Sequence, residues 1–294
     1  MIIRHFDVKT PQTQPPQSEG WQPTWHGYYE MAKCESPERK TEYAERDRAI
    51  HAEGMMTEAD FERDCFLSVL ADIKREHVNM FELGAGWGRM SLALAGVVNY
   101  GLIPLTPLSY RCLAVEGEPT HYQWLKEHFE MQKINGIVVH GAVSNKNGTC
   151  HFSADSSPDS CYGQAINPLL SRRKIPSIGN LRNLITKKTI KIPAYTIDKL
   201  IQTYGFDHVD IIDIDVQGTE YEAMLGAADS IRNDLIDYML IGTHHRELNN
   251  ALRRLLSPKF DLIVDIYPNS VATVNGFAPV KCEDGIQLYQ RKNI

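Results

Sequence analysis

The chain has 294 residues, with 37 acidic against 31 basic side chains and a formal net charge of −6. That length can bury one full-sized core and a small appendage, and the acidic balance disfavours a general nucleic-acid binder. Six scattered cysteines without a CxxC pair suit neither a zinc site nor a dense disulfide framework, and neither a signal-peptide core nor a membrane-length apolar run is present, so a cytoplasmic protein without membrane insertion is expected.

Residues 1–25, rich in Pro and Gln, read as an extended arm that orders only by docking. From Trp25 to Glu76 the pattern is charged and helical; Phe61, Cys65, Phe66, Val69, Leu70 and Ile73 recur at spacings of three and four. Thr57 with Asp60 three residues on is close to a capping box for that helix. Residues 1–75 therefore form an arm and helical extension, and 76–294 the main domain.

After residue 76 the rhythm changes. Short apolar runs ("VNMFEL", "RCLAVE", "GIVVHGAV", "VDIIDIDV", "YMLIGT", "FDLIVDIY", "IQLYQR") alternate with helical stretches at 87–97, 119–133, 219–232 and 245–256. That alternation predicts an α/β fold with a mostly parallel sheet covered on both faces. Two insertions interrupt it, Tyr100–Tyr110 and a longer one at 153–190. From Ser171 to Lys191 there are seven Lys or Arg and no acid. This basic stretch reads either as a solvated loop or as a lid that meets an anionic substrate.

"FELGAGWGRM", residues 81–90, follows the first strand, where an open α/β sheet binds ligands. Gly84, Ala85, Gly86 and Gly88 make a GxGxG turn rather than the GxGxxG of a dinucleotide site. Glu82 would repel a pyrophosphate but suits the ammonium group of an amino-acid-like ligand. Glu116, with Gly117 after it, ends the second strand where ribose hydroxyls are accepted. Ala142 and Val143 offer an apolar wall for a base. An amino-acid end, a ribose and no required phosphate describe S-adenosylmethionine. Trp87 reads as packing, and Arg89 either neutralises the ligand's carboxylate or pairs with Glu82.

Four stretches in order, "FELGAGWGRM", "LAVEGEP", "VHGAVSNKNG" and "VDIIDIDVQGTEYEAMLGA", resemble the FkbM-type S-adenosylmethionine-dependent methyltransferases. "LIGTHHREL" looks like the "GTHSRE" segment of one branch of that family. The resemblance spans Phe81 to Leu256 and implies the Rossmann-like class I methyltransferase fold: seven mostly parallel strands with an antiparallel last strand, here "GIQLYQR". It also implies O-methylation of hydroxyls on sugars, glycolipids or natural products. The chain departs from the family at Asp213, where many members carry Lys or His, and at His245, where the branch has Ser.

Asp213 and Asp215 stand two apart on one strand and project to one face, with Asp213 also reaching the donor. Asp215 is the first choice for general base or substrate anchor. His244 and His245 follow the next strand, and either suits proton transfer near neutral pH. No metal is the primary expectation; Asp213, Asp215 and His244 could also form a divalent-ion site. Glu220 opens the helix after the aspartates, where an acid suits the helix dipole.

The expectation is an O-methyltransferase acting on a small-molecule or glycan substrate, with no nucleic-acid partner and a homodimer compatible with the extension. The alternatives are N-methylation of a peptide or amine side chain, a nicotinamide-dependent oxidoreductase, and a binding protein that keeps the pocket without catalysis.

Overall fold

The structure is a computed structural model that describes residues 1–13, 20–154, 159, 166 and 188–293. Most of the basic insertion, and hence its reading as a lid, falls outside the described residues. In chain order the elements are β1 (Trp21–Pro23), β2 (Tyr29–Met31), α1 (Pro37–Ala52), β3 (Met56–Thr57), α2 (Glu58–Asp72), β4 (His77–Leu83) and α3 (Arg89–Tyr100). There follow β5 (Ser109–Glu116), α4 (Pro119–Gln132), β6 (Gly136–His140), β7 (Ala142–Val143), β8 (Gly148–Ala154), β9 (Lys188–Tyr195), α5 (Ile197–Tyr204) and β10 (Val209–Ile214). The chain ends with α6 (Glu220–Leu225), α7 (Ala228–Arg232), β11 (Ile236–Thr243), α8 (Arg246–Leu256), β12 (Phe260–Ile266), β13 (Ser270–Ala272), β14 (Val280–Cys282) and β15 (Gly285–Arg291).

The central sheet has seven strands in the order β12-β15-β11-β10-β4-β5-β6. Only β15 runs against its neighbours, β11 and β12. Side-chain alternation loads both faces. Met80, Ile211, Leu240 and Leu288 face a core built with α2 and α3, whereas Phe81, Ile212, Met239 and Tyr289 face one built with α5 to α8. From β4 the chain winds outward through β5 and β6, then returns to the other side of β4 with β10. The crevice at that reversal, beyond the carboxyl ends of β4 and β10, is where such sheets bind ligands.

The structure departs from three expectations. "GIVVHGAV" does not form one strand: β6 stops at His140, and Ala142–Val143 pairs with β9 in a separate three-stranded sheet. The helix expected over 219–232 is two, broken around Gly226, where a Cβ would stand 2.3 Å from the Ser144 carbonyl oxygen. Residues 25–31 are not helical. They belong to a β1–β2 hairpin held on α4, where the Gln132 amide donates to Tyr29 O and accepts from its N–H, and Met31 N–H donates to His128 Nε2.

The arm docks. Met1 reaches Gln290, Arg4 N–H donates to Ser68 Oγ, and His5 lies 2.7 Å from Asp64. Thr57 caps α2 as its spacing implied, accepting from Asp60 N–H at 3.1 Å while its hydroxyl donates to the Asp60 carboxylate. No helix among the described residues is long and apolar enough to cross a membrane.

Candidate active site

Gly84, Gly86 and Gly88 all adopt positive φ, at 83°, 55° and 89°. Each does something different. A Cβ on Gly84 would stand 1.9 Å from the Asp215 carbonyl oxygen, so this glycine lets the loop press on the end of β10. A Cβ on Gly88 would meet Leu125 at 2.6 Å, which sets α3 against α4. A Cβ on Gly86 would meet nothing, because Gly86 faces the cleft.

Glu82 and Asp213 are register partners on adjacent strands. Glu82 is buried, and its two oxygens accept from Met90 N–H, Ser91 N–H and the Ser91 hydroxyl. These donors belong to the first turn of α3, whose amides lack partners within the helix. Glu82 therefore caps that helix from the neighbouring strand, where the sequence suggested a ligand's ammonium group. Burial raises its pKa to about 7, against the pull of those hydrogen bonds.

Glu116 orders the opposite side. Its carboxylate accepts from Gly86 N–H at 2.7 Å and from Glu118 N–H at 2.6 Å, which ties the end of β5 to the glycine loop. Burial, partly offset by those bonds, brings its pKa to about 7. Beside it, Gly117 packs so closely on Phe152 that a Cβ would stand 2.8 Å from the ring. Gly117, Ala142, Val143 and Phe152 form one wall of the cleft, with Ala142 and Val143 buried.

At the acid end Asp213 is buried. Burial, then Glu62, Glu82 and Asp215, raises its pKa well above the usual carboxylate range. Asp215, just past β10, keeps 55% of its side chain exposed and accepts a 2.9 Å hydrogen bond from Gln217 Nε2. His244 stands between carboxylates, its Nε2 3.3 Å from Asp215 Oδ1 and its Nδ1 2.9 Å from Glu220 Oε1. Burial lowers the His244 pKa, but Asp215 and Glu220 outweigh it and raise it to about 10. A ring held in that state is an imidazolium at neutral pH, a poor proton acceptor and a good anchor for Asp215. His245 is exposed, precedes α8 and lines neither cavity of the cleft. Asp215, Glu220 and His244 place ligand atoms within 4.8 Å of one another; Asp213 is not part of that group.

The N-terminal extension, which no motif marked, supplies much of the cleft. One cavity of about 590 Å³ runs from Gly117 and Ala142 past Asp215 to Arg39, Tyr43 and Arg46 of α1 and Glu58 and Glu62 of α2. A second, of about 410 Å³, runs under Trp25, His26 and Glu30 to Glu82 and Asp213. Glu62, Gly84, Gly86, Arg89 and Asp215 line both. Burial first and Asp215 second raise the Glu62 pKa to about 7. Arg89 lies 3.6 Å from Glu30, where the sequence offered either a ligand's carboxylate or Glu82 as its partner. Trp87 is buried against Met31, Cys34 and Trp124, in the packing role read for it. The capped register of α2 was the available signal, since it puts Glu58 and Glu62 one turn apart on a common face.

The charge of the cleft suits a cationic ligand such as the methyl donor. Burial raises the pKa of both Glu62 and Asp213, with Asp215 adding to the shift at Glu62 and Glu62, Glu82 and Asp215 adding to it at Asp213, a concentration of acid that suits cationic groups. Gly86 leaves its wall open, and Glu116 has lone pairs to spare for hydroxyls.

The fold and site together define a class I, S-adenosylmethionine-dependent methyltransferase. The profile of the Methyltransferase FkbM domain matches residues 108–263, more than half of the sequence, and the chain belongs to that family. The match takes in four of the five stretches read from sequence; the glycine loop precedes it. A protein of Jannaschia sp. (strain CCS1) with a provisional methyltransferase name is 27% identical over 219 residues, covering 72% of this chain and 71% of that one. Solved structures with a similar fold include an rRNA methylase from Streptococcus thermophilus, 10% identical with a TM-score of 0.40, covering 79% of this chain and 95% of that one. Another is a provisionally named methyltransferase from Streptococcus mutans in complex with SAH, 7% identical with a TM-score of 0.40, covering 76% and 94%. Likenesses at that score say nothing of substrate. Family membership removes the nicotinamide-dependent alternative.

Proposed function

We propose that the chain transfers the methyl group to a hydroxyl of a small-molecule or glycan acceptor, with Asp215 facing that hydroxyl. The observation that carries this reading is the Asp215 carboxylate, exposed in the cleft beside Gly84 and Gly86 and steadied by Gln217 and His244. Glu116 would hold the ribose, the Gly117–Phe152 wall the base, and Glu62 with Asp213 the cationic groups of the donor. When bound, S-adenosylmethionine supplies an electrophilic methyl group on a sulfonium. The protein's part is to bring the acceptor oxygen into line and to receive its proton. Asp215 accepts that proton, with Gln217 Nε2 donating to its Oδ1 and His244 Nε2 3.3 Å away. Tyr43, with the guanidinium groups of Arg39 and Arg46 at 4.8 and 4.6 Å from its ring centroid, gives the acceptor end an aromatic and cationic wall.

A second reading, methylation of an amine, is favoured by one observation. Glu35, Glu58, Glu62, Asp215, Glu283 and Asp284 line the same cavity and would attract a protonated amine. The same carboxylates argue against a polyphosphate backbone as acceptor. The test is incubation with isotopically labelled methyl donor, a panel of hydroxyl and amine acceptors, and mass spectrometry of the products. A labelled methyl ether is the expected result. Label found on nitrogen alone would overturn the hydroxyl reading in favour of the amine.

A further inference from the structure

We propose that Asp215, Glu220 and His244 bind one divalent transition-metal cation of the Mn²⁺ type at the acceptor end of the cleft. The inference rests on the reading of Asp215 as the group that faces the acceptor. The three side chains come from the end of β10, the first residue of α6 and the turn after β11, and bring their ligand atoms within 4.8 Å of one another.

Spacing alone would not carry this. His208, Asp210 and Asp237 meet it equally at the opposite end of the sheet, but Arg75 and Arg291 already fill that cluster. No arginine or lysine pairs with the upper group among the described residues. Glu220 is fully buried; its Oε1 accepts from Gly218 N–H, while its Oε2 has no hydrogen-bond partner. His244, 12% exposed, has carboxylate oxygens near both ring nitrogens, yet neither nitrogen makes a hydrogen bond of acceptable direction. Buried polar atoms are normally satisfied, and an unpartnered Glu220 Oε2 together with an unpartnered nitrogen of the adjoining imidazole implies a missing partner. Asp284 adds a third carboxylate, with an oxygen 3.9 Å from His244 Nε2. A cation there would displace the proton of one His244 ring nitrogen into solvent and would be reached from the cleft past exposed Asp215, leaving a coordination position for an acceptor oxygen. One imidazole with two carboxylates suits Mn²⁺ or its transition-metal neighbours better than Mg²⁺, which prefers oxygen alone.

The test is titration of the chelator-treated full chain with MnCl₂, reading free Mn²⁺ by its electron paramagnetic resonance signal. One equivalent should bind. Asp215→Asn, Glu220→Gln and His244→Gln should each weaken binding by at least about tenfold, and His245→Gln, at the exposed neighbour, should not. Circular dichroism and thermal unfolding on the same samples show that each variant is folded, and calorimetry with S-adenosylhomocysteine reads the donor site separately. Wild-type protein that binds S-adenosylhomocysteine but no Mn²⁺ would overturn the site, as would Mn²⁺ binding that survives all three substitutions. Mn²⁺ binding lost in those variants, in a protein that ignores S-adenosylhomocysteine, would support the cation site and strike the donor reading instead.

Discussion

The two ends of the central sheet carry the same residue types and treat them oppositely. At the amino-terminal end Asp210, Asp237 and His208 meet Arg75 and Arg291, and the carboxylates are satisfied: Asp210 also accepts from Asn79 N–H, and Asp237 takes contacts from both arginines and His208. Burial opposes ionisation there, but His208, Arg75 and Arg291 prevail and lower the Asp237 pKa to about 2. At the carboxyl-terminal end Glu62, Asp213 and Asp215 face one another, and Asp213 is pushed up instead. Charge that is neutralised within the protein holds the fold together; charge left unbalanced in a cleft is available to a ligand.

Substitutions can break this comparison at either end. The largest effect is expected from Gly84→Val, whose side chain would have to occupy the space of the Asp215 carbonyl at a left-handed φ. Binding of S-adenosylhomocysteine should vanish in calorimetry, and stability should fall by roughly 3 kcal/mol or more in denaturant unfolding. Next comes Asp215→Asn, which should lower kcat by about 10²-fold or more while unfolding stays within about 0.5 kcal/mol of wild type. At the other end, Arg75→Ala should cost about 2 kcal/mol of stability, discounted because half of Arg75 is exposed, and should leave donor affinity unchanged.

The same end gives a pH signature. Asp237 is a depressed acid, so its contribution is fully present above its ordinary value of 3.8 and is lost as pH falls toward about 2. Acid unfolding should therefore show a stability loss across that window, which the Arg75→Ala variant shares less. The smallest effect is expected from Tyr43→Ala, a few-fold rise in acceptor KM with donor affinity unchanged, from loss of contacts worth roughly 0.5–1 kcal/mol.

Much of the sheet was legible because its strands are continuous apolar runs between helical stretches, a pattern local enough to read directly. The crevice was legible because three glycines and Glu116 fall at strand ends. Other features were hidden in distance along the chain. Glu82 caps a helix whose amides lie eight and nine residues on, across a turn, so no short-range capping pattern reveals it. Gly226 looks permissible inside a helix until the Ser144 carbonyl arrives from another part of the fold. The role of α1 was masked by its composition: only Ile50 is buried along its length, so no apolar stripe announces where it packs, although Arg39, Tyr43 and Arg46 line the cleft.

β3 runs alongside β14, and the Glu58 carboxylate just after it receives the amides of Glu283 and Asp284. A chain trimmed to residues 76–294 would retain every strand of the large sheet. It would nonetheless unfasten the loop that carries Asp284 and remove one side of the chamber. For protein engineering, the tidy cut between extension and catalytic body is a cut through the chamber itself.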